Sequence, residues 1–371
     1  MKISFTGDVF LGGDLQKKSA KKIIKVSSFN NADFRVVNLE HPISDNDIEL
    51  DKCTLFTNSS ATMKLREMGV NMVNLSNNHI QDKGNEGIVD TLENLKKFNI
   101  KYFGAGLNIN EAKLNQKLDK DYCILGYCDY GKKYLNQIQI ADKNTPGINP
   151  LNYQNIIDDL SNLEEGKKAI LFFHWGREHV SLPKYEDILL AKDLLRNEKV
   201  AMIIGMHSHR FQGVVEFNGK KAYMSLGNFI FPNFHIKPPT KIYYPHKDFK
   251  CDYQTRQYHS VFKPTYKKWK NVNRKSIIVS FDTEVKELSH VFVYQEDNEV
   301  CIKEQKGVPQ LLSKFKFKFL TFLYKLPKGI YIFLEKNNTL LSIILWRTQI
   351  MFFYLRQLGI KAFLKKVKKR L

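Results

Sequence analysis

Short apolar segments typical of buried β-strands alternate with helical segments, and this alternation constrains the fold more than any other feature. Two helices are predicted at Gly84–Phe98, with Asp82 as its cap, and at Lys184–Asn197. The predicted strands are Ile3–Thr6, Phe34–Leu39, Met72–Leu75, Lys101–Phe103, Tyr122–Tyr127, Ala169–Phe173, Val200–Ile204 and Ala222–Leu226, followed by a hairpin of Ser276–Phe281 and His290–Tyr294. Such alternation favours an α/β domain with a largely parallel sheet.

Side chains that can bind a metal ion follow five of these strands at their carboxyl ends. They are Asp8, Glu40, Asn78 with His79, His174, and His207 with His209. Ligands of open α/β sheets bind in the crevice beyond the strand carboxyl ends, so we expect these side chains to converge. Imidazole, carboxylate and amide oxygen suit Mn, Fe or Zn, and the sequence predicts one or two divalent transition-metal ions. Two cations about 3.5–4 Å apart can activate water for displacement at phosphorus.

Each of these residues also has an ordinary explanation when it is taken alone. Asp8 follows a glycine and suits a turn, Glu40 suits a solvated strand end, and His174 suits a hydrogen-bonded core position. The pair His207 and His209 is harder to explain in this way, because side chains two residues apart in an extended segment point in the same direction. The joint occurrence therefore favours a metal site.

The motifs around these residues occur in an order that resembles a known family. They are Gly7-Asp8; Asn38-Leu39-Glu40; Asn77-Asn78-His79 with Asp82 and Gly84; His174-Trp175-Gly176 with Glu178; Gly205, His207 and His209; and Ser225-Leu226-Gly227-Asn228-Phe229. The set resembles the CapA family of bacterial capsule or poly-γ-glutamate synthesis proteins, which is related to the calcineurin-like metallophosphoesterases. The resemblance covers about residues 1–231 and the strands within 276–300. It implies a metallophosphoesterase-like sandwich of two β-sheets flanked by helices, with a dinuclear metal site.

The same resemblance implies a role for each residue of the predicted site. The ligands would be Asp8 and His209 on one metal, Asn78, His174 and His207 on the other, and Glu40 between the two. His79 would protonate a leaving group, and Glu178 is a second candidate for acid–base catalysis. Many metallophosphoesterases carry a histidine two residues after the first aspartate, where this chain has Phe10, and an aspartate at the bridging position of Glu40.

The C-terminal part of the chain has a different composition. The net charge of the whole chain is +20, and residues 307–371 contain 14 Lys and Arg with one acid, Glu335. The segment Gly359–Leu371 predicts a basic amphipathic helix, typical of binding to a membrane surface or a partner. Leu340–Leu358 contains two arginines and is shorter than the ~20 apolar residues of a spanning helix. A helical hairpin packed on the domain is the alternative, and nucleic acid is the least favoured partner.

These observations divide the chain into a CapA-like metallophosphoesterase-type domain, 1–305, with an irregular insertion at 235–275, and a basic, apolar helical tail, 306–371. We expect a metal-dependent hydrolase or transferase in capsule or extracellular polymer synthesis, acting on an anionic polymer or phosphoester. The alternative is a non-catalytic assembly factor of a membrane-bound synthase. The N-terminus lacks the apolar run of ~7–15 residues of a signal peptide, so we expect a cytoplasmic protein, peripheral at the inner face of the membrane.

Overall fold

The computed structural model describes residues 1–48, 53–129, 138–237, 240–242, 259–261, 263–297 and 299–368. The helices are α1 (Ser27–Asn30), α2 (Thr62–Glu67), α3 (Gly84–Lys97), α4 (Ile109–Ala112), α5 (Tyr153–Ser161), α6 (Tyr185–Arg196), α7 (Gly307–Leu323) and α8 (Lys328–Lys368). Short 3₁₀ helices are Gly13–Leu15, Ser59–Ala61 and Asn271–Arg274.

The strands of the described residues form two main sheets and three small pairs. They are β1 (Lys2–Val9), β2 (Ile24–Lys25), β3 (Phe34–Leu39), β4 (Met72–Asn74), β5 (Lys101–Phe103), β6 (Ala105–Gly106), β7 (Gln116–Lys117), β8 (Tyr122–Cys128), β9 (Gly147–Ile148), β10 (Lys168–His174), β11 (Val200–Met206), β12 (Val214–Phe217), β13 (Lys220–Tyr223), β14 (Asn228–Ile230), β15 (Phe234–Ile236), β16 (Thr240–Ile242), β17 (His259–Val261), β18 (Thr265–Lys267), β19 (Lys275–Asp282), β20 (Glu287–Gln295) and β21 (Ile302–Glu304).

The two main sheets face each other, and each contains both parallel and antiparallel pairs of strands. The first has the order β2-β21-β20-β19-β1-β3-β4-β5, with β14 also paired to β1, and the second has the order β12-β13-β11-β10-β8-β7. Strands β1, β3, β4 and β5 are parallel, whereas the hairpin β19–β20 joins β1 in the antiparallel direction. The predicted α/β class and two-sheet sandwich are confirmed, and the hairpin returns to the main sheet.

Aromatic side chains fill the space between the sheets. The Phe172 ring of the second sheet lies 5.8 Å from the Phe5 ring and 5.4 Å from the Phe103 ring of the first sheet. Helix α3 covers the outer face of the first sheet, and helices α5 and α6 cover that of the second. Apolar side chains are therefore buried between the two sheets and beneath the helices on both outer faces. Full burial of each large apolar side chain contributes about 1.5–3 kcal/mol to stability, and this packing holds the strand ends in place.

The predicted and observed boundaries agree within a few residues, but the predicted cap of α3 is wrong. Helix α3 begins after Lys83 without a side-chain cap. The carboxylate of Asp82 instead accepts hydrogen bonds from the Leu55 amide at 2.7 Å and from the His79 ring at 2.7 Å. Asp82 therefore belongs to the site rather than to the helix terminus.

The predicted insertion contains two short antiparallel pairs, β15 with β18 and β16 with β17. Residues 238–239, 243–258 and 262 lie outside the described residues. The C-terminal end of this segment, from Thr265 to Arg274, returns to the body of the protein: the Trp269 amide donates a hydrogen bond to the side-chain oxygen of Asn233, at 2.8 Å.

The tail forms two helices, and the first packs on the sandwich. Helix α7 lies against β12 and β20, and the Tyr324 hydroxyl just after it accepts a hydrogen bond from the Gly213 amide at 2.9 Å. Helix α8 is interrupted at Gly359, where φ is 75°. The predicted amphipathic pattern of Gly359–Leu371 falls largely outside the described side chains, which end at residue 362. Among the described residues, we find no helix whose length and apolar character would let it span a membrane.

Candidate metal centre

Five strand ends meet at one end of the sandwich. Asp8 lies near the end of β1, Glu40 follows β3, and Asn78 lies four residues after β4, while His174 ends β10 and His207 follows β11. The backbone of β1 approaches the Gly227 turn closely, since the Asp8 amide donates a hydrogen bond to the Gly227 carbonyl at 3.1 Å. A Cβ atom at Gly7 would lie 1.8 Å from that carbonyl oxygen, so position 7 requires glycine.

Glu40 lies between two groups of possible ligands. One group is Glu40, His174 and His207, the other is Asp8, Glu40 and His209, and within each group the ligand atoms lie within 4.8 Å of one another. The Oε1 atom of Glu40 is 3.6 Å from His174 Nε2 and 3.7 Å from His209 Nε2. Asn78 Oδ1 lies 2.8 Å from His174 Nε2, which adds an amide oxygen to the first group. The six residues predicted as ligands are therefore brought together, with Glu40 shared.

The chemistry of these buried atoms fits a divalent cation. Glu40 is fully buried, and neither of its carboxylate oxygens has a hydrogen-bond partner among the described residues, nor does Asp8 Oδ2. Burial, followed by the charge of Asp8, raises the pKa of Glu40 well above its usual value. Burial also lowers the pKa of His174 to about 3, which keeps its imidazole in the neutral form that binds metals. Uncompensated buried carboxylates are costly, and a bound cation would remove that cost.

The turn after β11 is not the extended segment that the sequence pattern predicted. His207 and His209 have φ angles of 85° and 53°, in the left-handed region. Their rings lie 6.4 Å apart, and each joins a different ligand group. The expectation that both imidazoles point the same way is therefore wrong. Such strained backbone at non-glycine residues is typical of functional sites.

His79 is placed beside the centre by a buried carboxylate. Its Nδ1 atom lies 2.7 Å from Asp82 Oδ2, and the His79 side chain is 16% exposed whereas Asp82 is fully buried. An ionised carboxylate only accepts hydrogen bonds, so Nδ1 carries a proton and Nε2 is left for another partner. The charge of His79 is also one of the factors that lower the pKa of His174, so the two rings interact electrostatically.

Glu178 lies at the rim rather than in the ligand cluster. Its side chain is 37% exposed, and its Oε2 atom is 3.9 Å from His179 Nε2. Burial and the charge of Asp8 are the two largest causes of the raised pKa of Glu40, and the negative charge of Glu178 is the third. It is therefore near the centre but outside both ligand groups.

Two asparagines contact the candidate ligands and stand out in the sequence only as members of motifs. Asn38 Nδ2 donates a hydrogen bond to Asp8 Oδ1 at 2.8 Å and lies 3.5 Å from His174 Nδ1. Asn228 Oδ1 lies 2.8 Å from His209 Nδ1. Hydrogen bonds of this kind fix the tautomer and orientation of ligating histidines. The only sequence signal for both is their place within motifs next to the predicted ligands.

The outer wall of the centre comes from residues that the sequence did not single out. The Trp269 ring packs 5.4 Å from His209 and 5.8 Å from His179. Burial, then the charges of His209, Lys267, Arg210 and Lys270, lower the pKa of His179. This wall of the centre thus combines aromatic rings with cationic side chains, next to the negative charge of Glu178 at the rim.

A protein-family model and two known proteins match a large part of this chain. The family model described as bacterial capsule synthesis protein PGA_cap matches residues 2–233. PGA biosynthesis protein CapA of Bacillus subtilis strain 168 is 30% identical over 242 residues, which cover 62% of each chain. Capsule biosynthesis protein CapA of Bacillus anthracis is 29% identical over 214 residues, which cover 54% of this chain and 51% of that protein.

The matched region thus spans less than two-thirds of the length of these two relatives. The crystal structure of TT1561 of Thermus thermophilus is 11% identical with a TM-score of 0.36, and the match covers 64% of this chain and 93% of that one. Because the family model matches more than half of the chain, the protein belongs to the bacterial capsule synthesis protein family PGA_cap.

Proposed function

We propose that the chain is a metal-dependent hydrolase or transferase of metallophosphoesterase type, and that it serves the synthesis of poly-γ-glutamate or another extracellular polymer. The observation that carries this proposal is the position of Glu40, which is fully buried and shared by two ligand groups. The polymer is proposed from the family and from the names of its relatives.

One or two Mn, Fe or Zn ions held by Asp8, Glu40, Asn78, His174, His207 and His209 would supply Lewis acidity and an activated water. The residues of the chain do the positioning. Asn38 holds the Asp8 carboxylate, and Asn228 holds the His209 ring. Asp82 fixes the His79 ring with Nδ1 protonated, which leaves Nε2 to hold the proton that a leaving group needs. We propose Glu178 as a rim group that moves protons between the centre and solvent.

The charges around the mouth support an anionic substrate, either a polymer or a phosphoester. Lys267 Nζ lies 4.3 Å from the Trp269 ring centroid, and Arg210 Nε has no hydrogen-bond partner among the described residues. Low-dielectric walls lined by charges of one sign concentrate ligands of the opposite sign. An anionic group of the substrate would therefore be drawn toward the His209 side of the centre.

The experiment that tests the proposal measures metal content and hydrolysis in the same preparations. Purified wild type should contain one or two transition-metal ions per chain and hydrolyse bis(p-nitrophenyl) phosphate with added Mn²⁺. His207→Ala with His209→Ala should lose at least one ion and most of the hydrolysis. The exposed His235 provides the matched control, and His235→Ala should leave both properties unchanged. If the wild type and the double variant are equally free of metal after growth with Mn and Zn, the site assignment is wrong.

The role of an assembly factor makes a different prediction for the same protein. In that case the wild type binds metal, but His79→Ala has no effect on polymer production in a producing strain. A catalytic role requires that the variant retains its metal and that the strain accumulates less polymer. The polymer assay thus separates a catalytic centre from a structural one.

A further inference from the structure

Helix α7 carries apolar residues on two opposite faces. On the inner face, Ser313, Phe317 and Leu320 are buried. The Phe317 ring lies 4.9 Å from the His290 ring and 5.7 Å from the Phe292 ring of β20. These contacts fix the helix on the sandwich, so its outer face has a defined orientation.

The outer face remains apolar although it faces solvent. Its residues are between 50% and 71% exposed, and they are Val308, Leu311, Leu312, Phe315, Phe319 and Phe322. Their spacing of three and four residues forms one stripe along the helix. The Phe315 and Phe319 rings are stacked at 6.4 Å with 6° between their planes. A contiguous exposed stripe of this kind marks an interaction surface rather than an ordinary protein surface.

A row of lysines borders one side of this stripe. Lys314 and Lys318 are exposed and lie four residues apart on α7, which aligns them along the helix, and the exposed Lys325 follows shortly after the helix ends. Helix α7 contains no acidic residue. An apolar stripe bordered by lysines is the pattern of helices that lie in the interface of an anionic bilayer. A symmetric pairing of two α7 helices would instead bring rows of like charge together.

We propose that the outer face of α7 is a docking surface for an anionic lipid bilayer, with the stacked phenylalanines at the headgroup–acyl boundary and the lysine row on the headgroups. This inference goes beyond the metal chemistry and does not depend on it. It also concerns a different segment from Gly359–Leu371, because α7 is fixed to the domain along its inner face.

Docking through α7 has a consequence for the centre. Lys316 on α7 lies 4.4 Å from the ring of Phe211, two residues after the ligand His209. The Val214 amide donates a hydrogen bond to Thr321 Oγ1 at 3.1 Å. The helix that contacts the bilayer therefore also supports the segment that follows the histidine turn, which sets the centre at a fixed distance from the membrane.

Flotation of the full chain with vesicles tests this docking surface. Wild type should float with phosphatidylcholine vesicles that contain phosphatidylglycerol, and less with phosphatidylcholine alone. Leu312→Gln with Phe315→Gln and Phe319→Gln should abolish flotation on both. The matched control replaces two exposed apolar residues elsewhere, Leu114→Gln with Val285→Gln, and should float as wild type does.

The lysine row is tested separately. Each lysine near an anionic surface strengthens partitioning roughly fivefold, so Lys314→Gln with Lys318→Gln and Lys325→Gln should weaken binding about 100-fold at low salt. Binding to neutral vesicles should not change. All variants should keep the metal content and thermal stability of wild type, because the substituted side chains are exposed.

Three results would overturn the proposal. Wild type could fail to float, or the triple variant on the stripe could float as well as wild type, which would place the contact elsewhere in the tail. Light scattering could also show a wild-type dimer that the stripe variant converts to a monomer, without binding to vesicles. The stripe would then be an interface between copies of the chain.

Discussion

The pair formed by His79 and Asp82 allows a prediction that separates catalysis from metal binding. His79→Ala removes the proposed acid, and general acid catalysis contributes about 10²–10⁴-fold to a rate. The Leu55 amide and His79 Nδ1 both meet the same oxygen, Asp82 Oδ2, so Asp82→Asn can keep an acceptor there but removes the negative charge that holds the proton on Nδ1. A hydrogen bond to a charged group contributes about 1.5–3 kcal/mol and one between neutral groups about 0.5–1.5 kcal/mol, so Asp82→Asn should lower kcat about 10-fold.

The double variant His79→Ala with Asp82→Asn gives the sharper test, because Asp82 is proposed to act only through His79. Once His79 is alanine, Asp82→Asn should cost no further activity. The assay is hydrolysis of bis(p-nitrophenyl) phosphate with elemental analysis of each preparation. Asp159→Asn is the matched control, since this carboxylate accepts a hydrogen bond from Tyr127 at 2.9 Å on the outer side of the second sheet. Additive effects of the two substitutions, or loss of metal in His79→Ala, would refute the reasoning.

Three further predictions concern stability. Burial lowers the pKa of Lys316 from 10.5 to about 8. The charged form of Lys316 therefore destabilises the folded protein fully below about pH 8, and this destabilisation fades as the pH rises from about 8 to the pKa of 10.5 in the unfolded chain. Lys316→Met should therefore raise the free energy of unfolding in urea by up to about 3 kcal/mol at about pH 7, and by less near pH 10. For Asp297, burial is outweighed by hydrogen bonds from residues that include Lys268 and Arg274, which lower its pKa to about 2. Asp297→Asn should cost about 1–2 kcal/mol at about pH 7, and the difference from wild type should disappear as pH falls from about 4 to about 2. Gly7→Ala should lower the melting temperature and the metal content together, because its methyl group meets a backbone carbonyl and overpacking costs about 1–3 kcal/mol.

The strands and long helices could be predicted because each is encoded locally. Phe34–Leu39 and Lys101–Phe103 were predicted with the bounds that the structure has, and Gly84–Phe98 differs from α3 by one residue. The arrangement of strands into two mixed sheets could not be read from periodicity, because β19 pairs with β1 across more than 270 residues. That arrangement came from the family resemblance.

The convergence of the candidate ligands could be predicted because these residues follow strand ends, where parallel strands bring side chains together. The wall of the centre could not be predicted in this way. Trp269 and Lys267 lie in a segment without clear periodicity, and only the fold places them beside His209 and His179. The two apolar faces of α7 are a similar case, since the sequence does not show which of them packs on the sandwich.

The surroundings of the centre bear on whether a bound metal would serve catalysis or only structure. Structural sites surround the ion with protein ligands, and catalytic sites keep a position open for water or substrate. Here a partly exposed histidine is held by a fully buried aspartate beside the ligand cluster. The cost of burying Asp82 is offset by the hydrogen bonds it accepts, and one of them orients His79. A purely structural centre would gain nothing from that arrangement, whereas a centre that transfers a proton to a leaving group requires it. The arrangement therefore supports the catalytic proposal over the role of an assembly factor.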